Sequence, residues 1–296
     1  REARNREAVM IKTVLMLTSG LPSDAATYEA ALPVLRAFEA HLNVLHVHLD
    51  AQELVVSMAT SDPSGGLAIS GFMDDMLRDA DLRMDSARRD FDALCAREGL
   101  RVAGEPGGTG PSAEWTADCG DEAARLGEHG RAADLLVMRR PPNDGELPMN
   151  LLETALLQTG RPLLLVPPGP VPPLLGTIAI AWKDTPEAAH AVAAAAPFLA
   201  RAERVVIFSV EEQPGEHDPS CDRLARALRW HNPNVAVRHL PGDQAPAEVL
   251  VAAARELRAG MLVMGGYGHS RLREIVFGGF TRHVLRGVDV PVLMAH

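Results

Sequence analysis

The chain has 296 residues, of which 47% are apolar and 23% charged, with a formal net charge of −10. Its length and apolar content allow a sizeable core and suggest two domains of about 150 residues each. The acidic balance, with no Lys/Arg run, argues against a nucleic-acid partner, and no apolar run approaches the roughly 20 residues of a membrane span.

Cys95, Cys119 and Cys221 stand far apart, without a CxxC pair or metal-finger spacing. That usage suits a reducing compartment, and the absence of a basic segment followed by an apolar stretch and a small-residue cleavage site leads to a cytoplasmic expectation. Residues 1–9, REARNREAV, are polar and precede the first strand pattern, so they read as an extension outside the fold.

In chain order, KTVLML from Lys12 reads as a strand and the following alanine-rich segment as a helix. The next strand carries His46 and His48 on one face, but no third ligand has the spacing of a metal site, and ordinary strand histidines are expected. Roughly Ala51 to Arg101 is longer than its later counterpart, with MDDMLRDADLRMDSARRDFDALCAREGL reading as one long amphipathic helix. ADLLVM (Ala133 to Met138) and RPLLLV (Arg161 to Val166) are further strands. PPGPVPP, Pro167 to Pro173, holds five prolines in seven residues and reads as a stiff linker. After it come TIAIAW, PEAAHAVAAAAPFLARA, VVIFSV, a helix around CDRLARALRW, VAVRHL, PAEVLVAAAREL, MLVMGG, TRHVLRG and PVLMA, a β-α-β-α-β-α-β-α-β order.

The two halves repeat. KTVLMLTSGLPSDAATYEAALPVL lies on GTIAIAWKDTPEAAHAVAAAAPFL with a constant shift of 164, pairing Pro22 with Pro186 and Pro33 with Pro197. Short apolar runs without polar alternation indicate strands buried on both faces. The expected architecture is α/β: two tandem open parallel five-stranded sheets, Rossmann-like, with helices on both faces. The expected boundaries are 1–9 for the extension, 10–166 for the first domain, 167–173 for the linker and 174–296 for the second domain.

Ligands of open parallel sheets sit beyond the carboxyl ends of the strands, where the connections diverge. There the second half has LVMGGYGHSRLREIVFGGFTRHVL, Leu262 to Leu285, with five glycines, whereas LVMRRPPNDGELPMNLLETALL, Leu136 to Leu157, has one. Gly265, Gly266 and Gly268 are expected to take positive φ and bring backbone amides close to a ligand. Gly278 and Gly279 open the helix beginning near Thr281, where free amides and the dipole favour an anion. Together these sites suggest a phosphate cradle. Arg139, Arg140, Pro141 and Pro142 stand in its place in the first half, and prolines remove amide donors, so one nucleotide site at most is expected per chain.

The spacing Gly265-x2-Gly268-x9-Gly278, between a strand and a helix that leads to PVLMA, resembles the nucleotide-binding motif of the universal stress protein family. The whole chain from Met10 to His296 resembles a tandem two-domain member, strongly in the second half and weakly in the first. The resemblance implies ATP as ligand, with Mg as its companion ion. It places Asp184 near base and ribose, and Gly265, Gly268, Gly278, Gly279 and Thr281 around ribose and phosphates. His269 and Ser270 stand as phosphate-side donors; adjacent residues point in different directions and no orienting carboxylate is identifiable, so they do not read as a catalytic pair. The family's Ser or Thr directly after the third glycine is Gly279 here, so one hydroxyl is missing.

No P-loop GK[ST], general base or carboxylate pair for Mg²⁺ is evident, and the chain reads as a regulator or sensor in a stress response, with at most very slow ATP hydrolysis. The alternative is a nucleotide-free interaction or protective scaffold. The resemblance also implies that the terminal strands RPLLLV and VPVLMA pair within the chain as a pseudo-dimer, leaving another surface for a homodimer.

Overall fold

The computed structural model describes residues 10–48, 66–140, 149–167, 170–211, 218–242, 245–266 and 289–296. In the first half, β1 (Thr13–Thr18) leads through a 3-10 turn (Pro22–Asp24) into α1 (Ala25–Phe38) and β2 (His41–His48). A 33-residue helix, α2 (Gly66–Glu98), is followed by the two-residue β3 (Arg101–Val102), β4 (Ser112–Cys119), α3 (Glu122–Gly130) and β5 (Leu135–Arg139). The short α4 (Met149–Glu153) continues as a π turn, Thr154–Gln158, into β6 (Leu163–Val166). The second half runs β7 (Thr177–Ala181), α5 (Pro186–Leu199), β8 (Arg204–Val210), α6 (Pro219–Leu228), β9 (Val235–Leu240), α7 (Pro246–Glu256), β10 (Met261–Gly265) and β11 (Val292–Ala295).

The strands form one eleven-stranded open sheet in the order β3-β4-β2-β1-β5-β6-β11-β10-β7-β8-β9. The mostly parallel α/β architecture is the one read from the sequence, and the two sheets run on as one through β6 and β11, the terminal strands expected to pair. One refinement is β3, a short edge strand beside β4. Every neighbouring pair is parallel except β6 and β11, which pair antiparallel with Val292 opposite Leu165, Leu293 opposite Leu164 and Met294 opposite Leu163. The carboxyl ends of the strands in one half therefore point opposite to those of the other, and their two mouths open at opposite ends of the sheet.

Burial on both faces explains the uninterrupted apolar strands. Along β1, Val14 and Met16 enter one core layer and Leu15 the other; Leu262 and Val263 of β10 divide in the same way. The layer that holds α1, α2, α5 and α6 crosses the seam between the halves. There Phe38 of α1 meets Phe198 of α5 edge-on at 5.3 Å, and the Arg201 guanidinium lies 4.3 Å from the Phe38 ring centre. Helix starts follow their caps: Thr185 Oγ1 accepts from Ala188 N at the head of α5, Asp218 Oδ1 from Ser220 N at α6, and Asp121 Oδ1 from Ala124 N at α3.

Candidate functional site

In the second half, β7 leads through α5 and α6 to β8 and β9 on one side, whereas α7 carries the chain back past β7 to β10 on the other. The switch point therefore lies between the carboxyl ends of β7 and β10, where an open α/β sheet offers a crevice. Asp184, Gly265 and Gly266 all lie at this end of the sheet. Gly268, His269, Ser270, Gly278, Gly279 and Thr281 lie outside the described residues.

The two placed glycines correct part of the sequence reading, because neither Gly265 nor Gly266 has positive φ. What Gly265 provides is proximity. A Cβ there would stand 2.8 Å from both the Ala188 amide nitrogen and the Glu187 carbonyl carbon, so the end of β10 presses against the first turn of α5. Gly266 differs again: its amide donates to the Ala295 carbonyl at 2.8 Å, and its carbonyl accepts from His296 Nδ1 at 3.1 Å. Its backbone is engaged by β11 and its end rather than held free for a ligand. The sequence could not show either contact, since the partners lie 77 residues before Gly265 and 29 after Gly266.

Asp184 sits in the loop after β7 and accepts a 2.9 Å hydrogen bond from Arg223 Nη2 of α6; both side chains are more than half exposed. Deeper in the mouth, Trp182 Nε1 donates to Ser220 Oγ at 2.8 Å, and Ser220 Oγ donates to Asp218 Oδ2. Burial pulls the Asp218 carboxyl upward, but the two Ser220 hydrogen bonds and the nearby Arg223 and His239 charges outweigh it and leave the group below its usual value. This chain of donors fixes the indole and the head of α6 beside Asp184. Sequence reasoning missed Trp182, Ser220 and Arg223, although a Trp at the end of a buried strand was the available signal.

The first-half mouth, between β1 and β5, is built differently. Asp24 is 4% exposed, and its carboxylate accepts from Thr18 Oγ1 (2.7 Å), Ser19 N (2.8 Å), Ser19 Oγ (3.0 Å) and Gly20 N (2.9 Å). On the same side, His46 Nδ1 donates to the Thr18 carbonyl at 3.0 Å and its ring stacks on Trp115 at 5.9 Å. Burial lowers the His46 pKa; the Thr18 hydrogen bond opposes that shift and the His48 charge adds to it. Glu122 is raised, chiefly by burial and then by the charges of Asp121 and Asp24. Helix α2 lies across this mouth: a Cβ on Gly20, whose φ is +72°, would run into the Arg83 carbonyl. Arg139 ends β5 here, and the following Arg140 N bonds to Val166 O at 2.7 Å. Among the described residues, no group of three or more His, Cys, Asp or Glu is placed to hold a metal ion, and no helix is long and apolar enough to cross a membrane.

Residues 209–296 match the model of the universal stress protein family. No curated protein matches the sequence. Among solved structures, a universal stress protein from Archaeoglobus fulgidus DSM 4304 is 15% identical, with 97% of this chain and 96% of that one covered at a TM-score of 0.68. A functionally unknown protein from Pseudomonas aeruginosa PAO1, also 15% identical, covers 96% of this chain and 92% of its own at a TM-score of 0.58. At these identities the structural likeness speaks for the fold alone. The region from the end of β8 through β11 belongs to the universal stress protein family, and the fold of a universal stress protein extends over nearly the whole chain.

Proposed function

We propose that the chain binds an adenine nucleotide, ATP with Mg, in its second half, and that it acts as a cytoplasmic stress-response regulator or sensor without efficient chemistry. The observation that carries this reading is the spacing Gly265-x2-Gly268-x9-Gly278 within the family-matched region, beginning where β10 meets the first turn of α5. That position puts the start of the glycine motif at the strand-order switch and beside a helix N-terminus, both of which suit phosphate. Asp184 stands at the same end of the sheet for the ribose and base. Its bond to Arg223 joins two exposed side chains, an arrangement worth about 0–1 kcal/mol, so a ribose hydroxyl can replace it at little cost. His269, Ser270, Gly278, Gly279 and Thr281 complete the proposed phosphate side.

The second reading, a nucleotide-free interaction scaffold, is favoured by Gly279, which lacks the hydroxyl that the family motif carries at that place. One experiment separates the two: mass analysis of small molecules released on denaturing the freshly purified protein, followed by calorimetry with ATP and Mg²⁺ on the parent and on Gly268→Val. Released adenine nucleotide, or a calorimetric affinity lost in the variant, supports the nucleotide reading. No released nucleotide together with no heat of binding leaves the scaffold. Equal affinity in both proteins removes the glycine loop from the site.

A further inference from the structure

The first-half mouth has donors, and the chain has already spent them. Thr18 Oγ1, Ser19 N and Gly20 N all point at one oxygen of Asp24, and Ser19 Oγ takes the other. Two consecutive backbone amides and two hydroxyls converging on one carboxylate form the donor set that suits a small oxyanion. The carboxylate comes from four residues beyond Gly20, out of the 3-10 turn that precedes α1, and not from the loop itself. It is almost fully buried, and α2 closes over the same loop at Gly20 and Arg83.

A cation completes the setting. Arg139 at the end of β5 is half-buried, and its hydrogen bond to the Arg140 carbonyl is long, at 3.4 Å. Burial pushes its guanidinium pKa down, and the Asp24 charge opposes that shift.

We propose that the first-half mouth is a small-oxyanion site that the chain fills with its own Asp24 carboxylate. The first half is then closed to phosphate-bearing ligands by occupation from within, in addition to the prolines at 141 and 142. Removing the carboxylate while keeping Cβ would turn the cradle into an open site of matching shape, for which formate replaces the missing atoms.

The test compares the parent, Asp24→Ala and Asp24→Asn in melting experiments with sodium formate against sodium chloride at equal ionic strength. Asp24→Ala should melt below the parent in chloride and rise saturably with formate, by about 3–6 °C at a tenfold excess over Kd. The parent and Asp24→Asn, whose cradles stay filled by a side chain, should respond to formate no more than to chloride. Titration of ¹³C-formate followed by NMR should give one site in Asp24→Ala, weakened several-fold by adding Arg139→Ala. Should Asp24→Ala be unfolded in chloride, circular dichroism in formate takes the place of melting, and recovery of the folded signal is the expected result. Failure of formate to stabilise or refold Asp24→Ala, or an equal formate response in the parent, would overturn the proposal. So would parental stability of Asp24→Ala in chloride.

Discussion

Gly265→Ala separates the packing duty of the glycine motif from its ligand duty. The added Cβ would sit 2.8 Å from the Ala188 nitrogen and the Glu187 carbonyl carbon, and 3.0 Å from the Glu187 oxygen. All three are backbone atoms in the first turn of α5, so no flexible side chain can give way, and either β10 or the helix must shift. Overpacking of this kind costs about 1–3 kcal/mol, offset by roughly 0.4–1 kcal/mol from the reduced freedom of the unfolded chain. The net loss, roughly 0–2.6 kcal/mol and centred near 1.3 kcal/mol, corresponds to a melting shift centred at about 3–5 °C for a chain this large. Gly266→Ala is the internal control, because among the described residues its nearest neighbour would be the Ala295 oxygen at 3.4 Å and its φ is not positive. Its melting should fall less than that of Gly265→Ala. Scanning calorimetry of parent and both variants, without nucleotide, reads the difference. If Gly265→Ala melts with the parent, the close approach is not the reason for glycine there; a loss of ATP affinity in that unshifted protein would return Gly265 to the ligand alone.

Two further outcomes are expected. ATP titrated into the intact chain should saturate at no more than one site, since Asp24 fills the first-half cradle and Pro141 and Pro142 lack amides; two equivalent sites would contradict both arguments. His46 should give stability a dependence on pH below neutrality. Burial holds its folded pKa below the usual 6.5, so the unfolded chain takes up a proton that the folded chain refuses. This contribution is complete above about pH 6.5 and lost progressively as pH falls below it. Urea denaturation from pH 7.5 to 5 should show a shallower decline for His46→Gln than for the parent, and identical slopes would exclude this histidine as the cause.

The duplication, the alternation of strands and helices along the chain and the long helix α2 were legible because each rests on local period and on one repeated shift. Joining the two sheets was expected from the resemblance, which implied that the terminal strands RPLLLV and VPVLMA pair within the chain, and β6 and β11 do so. What escaped the sequence depends on distance in space. Gly265 looks like a loop glycine until α5 is laid against it, and Asp24 looks like an ordinary turn residue until Thr18, Ser19 and Gly20 are seen to converge on it. The hydroxyl-rich TSG followed four residues later by Asp was a signal for that cradle, but a weak one. Serine, threonine and aspartate are common in turns for reasons that need no such convergence.

The antiparallel seam makes a demand on each half taken alone. In β11, Val292, Leu293 and Met294 are at most 2% exposed and meet Leu165, Leu164 and Leu163 of β6. Remove β6, and one side of β11 becomes an open edge with apolar side chains, while Phe198 loses Phe38. An edge of that kind pairs readily with another strand, and antiparallel pairing of β11 with its own copy satisfies the same backbone groups through a two-fold axis. Within the intact chain the linker supplies β6 at high effective concentration, so that edge needs no second molecule. The segment 174–296, expressed alone, should therefore form a dimer through Pro291 to Ala295, with the intact chain free to associate only by another surface. Sedimentation at tens of micromolar, about the scale at which modest interfaces form, measures this, with circular dichroism showing that the segment is folded. A folded segment that stays monomeric would mean that β11 tolerates an open edge, and that the seam is held by the α1 and α5 contact rather than by strand pairing.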